Sequence, residues 1–306
     1  MIPADQVRTV AVVGTGAIGT SWAALLLDQG LTVLATDPAP GAEDRLVQAV
    51  AALLAELGTD GAWTERLTFT DDPAAAAASA DLVLENGPEQ REVFALLDAA
   101  TGPDVLLASS SSGLGPSRFQ DACARHPERV LVAHPFNPPH LVPLVEVVGG
   151  ERTSDDAVTA ALSFFERLGK RPIHLRRELP GHVANRLQAA LWREAYHLVD
   201  QGVVSVADLD TAIAAGPGLR WALLGPLLTQ HVSGGAGGLA HVLEHLGPPM
   251  VEWWDDLGHP ELTPELAAAL VAGVGDELGD RSADETRVTR DRALRELLDL
   301  KRREGL

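Results

Sequence analysis

Residues 7–19 read VRTVAVVGTGAIG, a β-branched apolar run that breaks into glycines at positions 14, 16 and 19. The run predicts a strand buried on both faces, turning at once into a helix over Ile18–Gln29. The glycine spacing has a physical purpose. Gly14 permits the tight turn, Gly16 lets a pyrophosphate approach the backbone, and Gly19 lets helix and strand pack closely. The first helical residues, Ala17 and Ile18, begin a helix N-terminus whose free N–H groups suit an anion. A glycine-rich turn with no ligand would carry the same letters, so the surroundings decide. This one follows a strand, opens a helix, and is answered by Asp37 at the end of the next strand, 23 positions after Gly14. Asp37 is expected to accept hydrogen bonds from an adenosine ribose and to oppose a 2′-phosphate. No Lys or Arg follows it before Arg45, so the expected cofactor is NAD rather than NADP.

The same texture continues through the first half of the chain. Strands are expected at 7–14, 31–37, 81–86, 105–112 and 129–134, with further ones at 143–150 and 171–175. Helices are expected at Gly41–Leu57, Glu89–Ala100 and Pro116–Arg125. Strands alternating with helices imply right-handed crossovers and a parallel sheet covered on both faces. After Glu178 the pattern turns helical, beginning with an amphipathic Pro180–Gln201 and ending with a charged segment over Thr289–Arg303. The expected architecture is α/β: a Rossmann-type, doubly wound, mainly parallel sheet over residues 1–178, then an all-α domain over 179–306.

The formal net charge of -19 excludes partners that are themselves strongly anionic, nucleic acid and acidic membrane surfaces above all. It is compatible with small neutral, zwitterionic or cationic molecules. Cys123 is the only cysteine, so no internal disulfide forms, as expected of a reducing cytoplasm. The uncharged run from Val10 to Leu27 lacks a basic leader and a cleavage site, and its glycines fit a strand-to-helix turn better than a membrane span.

A second stretch, HPFNPPHLVPLVE at 134–146, places a histidine at a predicted strand end, where open α/β sheets keep their ligand crevice. Prolines 135, 138, 139 and 143 lie between His134 and Glu146 and predict a stiff, extended connection. Stiffness suits a proton-transfer pair, because a misplaced base is slow. His134 is expected to remove the proton of a substrate hydroxyl, with Glu146 fixing its tautomer and favouring its protonated form.

With these residues the chain resembles the 3-hydroxyacyl-CoA dehydrogenase superfamily over nearly its whole length. It is most similar to the short branch containing L-gulonate 3-dehydrogenase (lambda-crystallin), diketoreductase and L-carnitine 3-dehydrogenase. The resemblance implies that His134 and Glu146 are the catalytic pair and Asn137 the active-site asparagine of its H-x-x-N unit. It implies that Ser112 in ASSSSGL hydrogen-bonds the substrate oxygen, with Ser111 the alternative if the alignment slips by one. It places Asn185, in PGHVANR, among the catalytic residues and Glu85 near the nicotinamide end of the cofactor. Taken alone, Ser112 is equally a helix cap and Asn185 a surface helix residue.

The branch implies oxidation of the secondary alcohol of a small 3-hydroxy carboxylate, L-carnitine first, with L-gulonate and 3-hydroxybutyryl-CoA as rivals. Members that bind CoA carry a lysine-rich helical hairpin after the second strand; here that region is short, with Arg45 and Arg66 alone. Arg220, in GPGLRWALLG, is the candidate for a substrate carboxylate, an interdomain or intersubunit salt bridge being the alternative. Trp221, Trp253 and Trp254 offer ring faces to a quaternary ammonium, or else pack in the core or at an interface. No metal enters this chemistry. A homodimer is implied by analogy. A crystallin-like structural role would predict a decayed catalytic set, which this sequence does not show.

Overall fold

A computed structural model describes residues 1–59, 61–87 and 90–306. The chain divides into two compact units, Met1–Arg186 and Leu187–Leu306, a division that falls inside a helix and beyond the 178/179 boundary expected from composition.

The first unit is built on eight strands: β1 Thr9–Val13, β2 Thr32–Thr36, β3 Leu67–Thr70, β4 Leu82–Glu85, β5 Leu106–Ser109, β6 Val130–Pro135, β7 Leu144–Gly149 and β8 Arg171–Leu175. They form one sheet in the order β3-β2-β1-β4-β5-β6-β7-β8. Only the β6–β7 pair is antiparallel. Its helices are α1 Ala17–Asp28, α2 Ala42–Leu57, α3 Pro73–Ala78, α4 Gln90–Ala100, α5 Ser117–Gln120 and α6 Asp155–Arg167. Strand periodicity sorts the apolar residues onto two faces. Val10 and Val12 of β1 join α1, α2 and α6 in one core. Ala11 and Val13 join α3 and α4 in the other. This is the doubly wound sheet expected from the alternation.

The second unit is helical. α7 Ala184–Asp200 crosses into it, followed by α8 Val206–Ala214, α9 Pro217–Leu224, α10 Pro226–Ser233, α11 Gly238–Asp256, α12 Pro264–Leu278 and α13 Ala283–Glu304. Lys301 on α13 donates to the Ala222 carbonyl on α9 at 2.5 Å. No helix among the described residues is long and apolar enough to cross a membrane.

Several elements depart from expectation for local reasons. The helix expected at Pro116–Arg125 shrinks to α5, because Ala122 and Cys123 donate three residues back, to Phe119 and Gln120. Glu89, the expected start of α4, lies outside the described residues. The helix expected from Pro180 begins at Ala184, since Gly181 and His182 take left-handed φ values of 74° and 51°. The last helix starts earlier than Thr289 because Ser282 and Glu285 form a capping box. α6, unassigned from sequence, is capped by the Ser154 side chain on the Ala157 N–H. The proline-rich connection at 136–143 is not extended. The Leu141 and Val142 N–H groups both reach the Pro138 carbonyl, at 3.0 and 2.9 Å, and the chain doubles back. That reversal makes β7 antiparallel to β6.

Candidate active site

The reversal sets His134 of β6 directly opposite Glu146 of β7 in the ladder. Alternation puts both side chains on the sheet face that carries Val132 and Val148. His134 Nδ1 lies 2.9 Å from Glu146 Oε2. The other carboxylate oxygen, Oε1, accepts the N–H groups of Val183 at 2.9 Å and Ala184 at 3.0 Å. Glu146 is fully buried and His134 is 6% exposed. Burial pushes the Glu146 carboxyl up, but the His134 hydrogen bond and the two amides outweigh it and hold the group below its ordinary 4.5. An ionised carboxylate only accepts, so His134 carries its proton on Nδ1 and keeps the Nε2 lone pair for exchange.

His182 joins this pair, although nothing in the sequence singled it out. It is fully buried, and its ring centroid lies 5.3 Å from that of His134. His182 Nε2 sits 3.0 Å from the Ser111 carbonyl, which fixes the proton there and leaves a buried Nδ1 without a partner among the described residues. Burial, first, lowers its pKa, with the nearby His134 acting in the same direction.

The four serines 109–112, the first of them the last residue of β5, separate into two roles. Ser109 donates to Glu85 Oε2 at 2.7 Å, and Ser110 donates to Asn86 Oδ1 at 2.8 Å. Ser111 accepts the Leu114 N–H at 3.2 Å. Ser112 is exposed, and its carbonyl, not its hydroxyl, takes the Asn185 side chain at 2.9 Å. Ser112 does not cap α5, whose N-cap is Pro116. Ser111 and Ser112, together with Ile18, Asn86 and Gly87, line a cavity of about 370 Å³. Asn137 stands exposed in the 136–143 loop, its side chain without a hydrogen bond among the described residues.

Glu85 is buried, and its Oε1 also accepts the Gly87 N–H at 2.5 Å. Burial raises its pKa to about 7, although the Ser109 and Gly87 hydrogen bonds oppose the rise. Its carboxyl is therefore held by β5 and the turn after β4. Arg220 is exposed on α9 with no ion-pair partner among the described residues. Trp221, Trp253 and Trp254 are 40%, 61% and 62% exposed, which removes core packing as their explanation within this chain.

The glycine turn fits a dinucleotide. Gly14 has φ 87°, and a Cβ on Gly19 would run into the Gly14 carbonyl oxygen. A Cβ on Gly16 would meet nothing within 4 Å, which is open room for a ligand. Gly16 ends where α1 begins, leaving the first N–H groups from Ala17 and Ile18 without helical acceptors. Asp37 Oδ2 accepts the Thr15 N–H at 2.7 Å and Oδ1 accepts the Ala39 N–H at 2.9 Å.

A Rossmann sheet with this turn is the mark of a dinucleotide-binding protein. The chain belongs to the 3-hydroxyacyl-CoA dehydrogenase family: the family's NAD binding domain matches residues 9–179 and its C-terminal domain matches residues 181–294. Among curated relatives, the L-carnitine dehydrogenase of Streptomyces coelicolor is 49% identical, over 97% of this chain and 96% of that protein. A 3-hydroxyacyl-CoA dehydrogenase of Gibberella moniliformis is 45% identical, over 98% of this chain and 96% of that protein. Among solved structures, 5-formyl-3-hydroxy-2-methylpyridine 4-carboxylic acid 5-dehydrogenase, an NAD+ dependent dismutase, superimposes with a TM-score of 0.75 at 30% identity, covering 97% of this chain and 98% of that one.

Proposed function

We propose that the chain oxidises the secondary alcohol of a small 3-hydroxy carboxylate, L-carnitine in the first place, and that His134 is the general base. The observation that carries this assignment is the buried couple, His134 Nδ1 on Glu146 Oε2 at 2.9 Å, which leaves Nε2 as the proton acceptor. Bound NAD supplies the hydride acceptor. Gly14, Gly16, Ala17, Ile18, Gly19 and Asp37 would hold it, with Glu85 near its nicotinamide end. His134 takes the hydroxyl proton. Glu146 keeps the imidazole in one tautomer and offsets the charge it gains. The Ser112 hydroxyl hydrogen-bonds the substrate oxygen, Asn185 holds the Ser112 segment through its carbonyl, and Asn137 completes the polar lining.

Two observations favour a substrate without CoA. The segment after β2 offers only Arg45 and Arg66 as cations, and each already gives a guanidinium N–H to a backbone carbonyl, Pro40 at 2.7 Å and Leu27 at 3.0 Å, a sparse handle for a nucleotide phosphate. The relatives named L-carnitine dehydrogenase are 42–49% identical to this chain. Arg220 would pair with the carboxylate, and Trp221, Trp253 and Trp254 offer faces to the trimethylammonium. The Gibberella moniliformis relative supports a second reading, a short 3-hydroxyacyl-CoA as substrate. The second unit exposes Leu187, Leu227 and Val271, at 62%, 68% and 73%, apolar residues of the kind a homodimer would cover. Its place is the cytoplasm.

The test is NADH fluorescence with NAD and a panel of L-carnitine, L-gulonate and 3-hydroxybutyryl-CoA. Turnover is expected to be fastest with L-carnitine. Preference for the CoA ester would replace this substrate by the second reading, and no turnover while NADH binds would refute the enzymatic assignment.

A further inference from the structure

The segment HVLEH at 241–245 lies on α11, outside every residue assigned to the chemistry above. His241, Glu244 and His245 stand at offsets of three and four, so they share one helix face. One donor atom from each lies within 4.8 Å of the other two, and all three are exposed. The two imidazole centroids are 4.0 Å apart.

The ring of His245 is already oriented. Its Nδ1 sits 3.0 Å from the His241 carbonyl oxygen. A carbonyl only accepts, so Nδ1 carries the proton and Nε2 keeps its lone pair. Metal-bound histidines are supported in this way, the second ring N–H tied to a carbonyl. Two imidazoles and a carboxylate suit zinc, nickel or copper rather than calcium or magnesium. A tetrahedral zinc brings its ligand atoms to about 3.4 Å from one another, within reach of exposed side chains by rotamer changes. The net charge of -19 favours a cation.

The backbone gives the site a consequence. Pro248 and Pro249 lie inside α11 and have no N–H to give to the carbonyls four residues back. Those carbonyls belong to Glu244 and His245. The helical ladder is thus interrupted at the residues whose side chains converge.

We propose that His241, Glu244 and His245 form a surface site for one divalent transition-metal ion, which staples α11 where its prolines interrupt the backbone hydrogen bonds. Water or a fourth ligand completes the coordination. The test is calorimetric titration of zinc into the untagged full-length protein. One ion per chain with a micromolar Kd is expected, weakened at least about tenfold by His241→Ala and by His245→Ala. Both positions are exposed, so the variants are expected to keep the parent's circular dichroism spectrum. Zinc is also expected to slow amide exchange at residues 239–247 in the parent and not in His245→Ala. Absence of saturable binding, equal affinity in parent and both variants, or unchanged exchange on zinc binding would each overturn the site.

Discussion

Glu146 is ringed by donors: one oxygen takes His134 Nδ1 at 2.9 Å and the other takes the amides of Val183 and Ala184 at 2.9 and 3.0 Å. A carboxylate accepts from all three; an amide of the same shape turns its NH₂ either against the two backbone N–H groups or toward His134 Nδ1, where it forces the ring out of its Nδ1–H tautomer. Glu146→Gln is therefore expected to lower kcat about a hundredfold and to destabilise the first unit by about 1–3 kcal/mol, with NADH affinity kept. Steady-state kinetics and NADH fluorescence titration check this; unchanged kcat would deny Glu146 its role.

Gly16 and Gly19 make a paired test of the dinucleotide turn. At Gly19 an added Cβ overlaps the Gly14 carbonyl, so Gly19→Ala is expected to destabilise the protein by about 1–3 kcal/mol. At Gly16 the Cβ meets no protein atom, so Gly16→Ala is expected to leave the melting temperature unchanged while weakening NAD binding at least about tenfold. Undiminished NAD affinity in Gly16→Ala would mean that the open space is not the cofactor's.

Asp37 is the expected discriminator between NAD and NADP. Burial alone would raise its pKa, but hydrogen bonds from Thr15 and Ala39 outweigh this and keep it below 3.8, so it is ionised at working pH. Asp37→Ser is expected to cut the preference for NAD over NADP at least about tenfold, through loss of the ribose contact and of the repulsion toward the 2′-phosphate. Comparing kcat/KM for the two cofactors decides it; an unaltered ratio would reject the assignment.

Legibility followed how local each constraint was. The glycine turn could be read because its demands fall on neighbouring residues, Gly14 on Gly19 and Thr15 on Asp37. The His134–Glu146 couple was suspected from spacing, yet the reason assumed for it, an extended connection, was mistaken: the contact exists because Pro138 accepts Leu141 and Val142 and turns the chain back. β3, the four-residue edge strand LTFT, is too short to show a period. His182 and the amide clamp on Glu146 depend on a segment 37 residues away folding onto the site, which no local pattern reports.

Lys170 is another contact of that kind, buried with no carboxylate partner among the described residues. It donates to the carbonyls of Pro139 and Val142, the latter at 2.9 Å, and so pins the loop that carries Asn137. Burial lowers its pKa from 10.5 to about 7, while burial raises that of Glu85 from 4.5 to about 7. The signs differ. A raised carboxyl pKa contributes stability below pH 4.5 that is lost as pH climbs toward 7, at most about 3 kcal/mol. A depressed lysine pKa contributes stability above pH 10.5 that is lost as pH falls toward 7, at most about 5 kcal/mol. Urea midpoints across pH are expected to lose their fall between 4.5 and 7 in Glu85→Gln, and their rise between 7 and 10.5 in Lys170→Met. Parallel profiles in parent and variants would show that neither group is held as described.

The most direct measurement is the turnover of His134→Gln with L-carnitine and NAD, made alongside NADH binding to the same variant. Turnover is expected to fall about a hundredfold or more while NADH still binds, because the variant keeps the fold and lacks the base. Turnover equal to that of the parent would contradict the account.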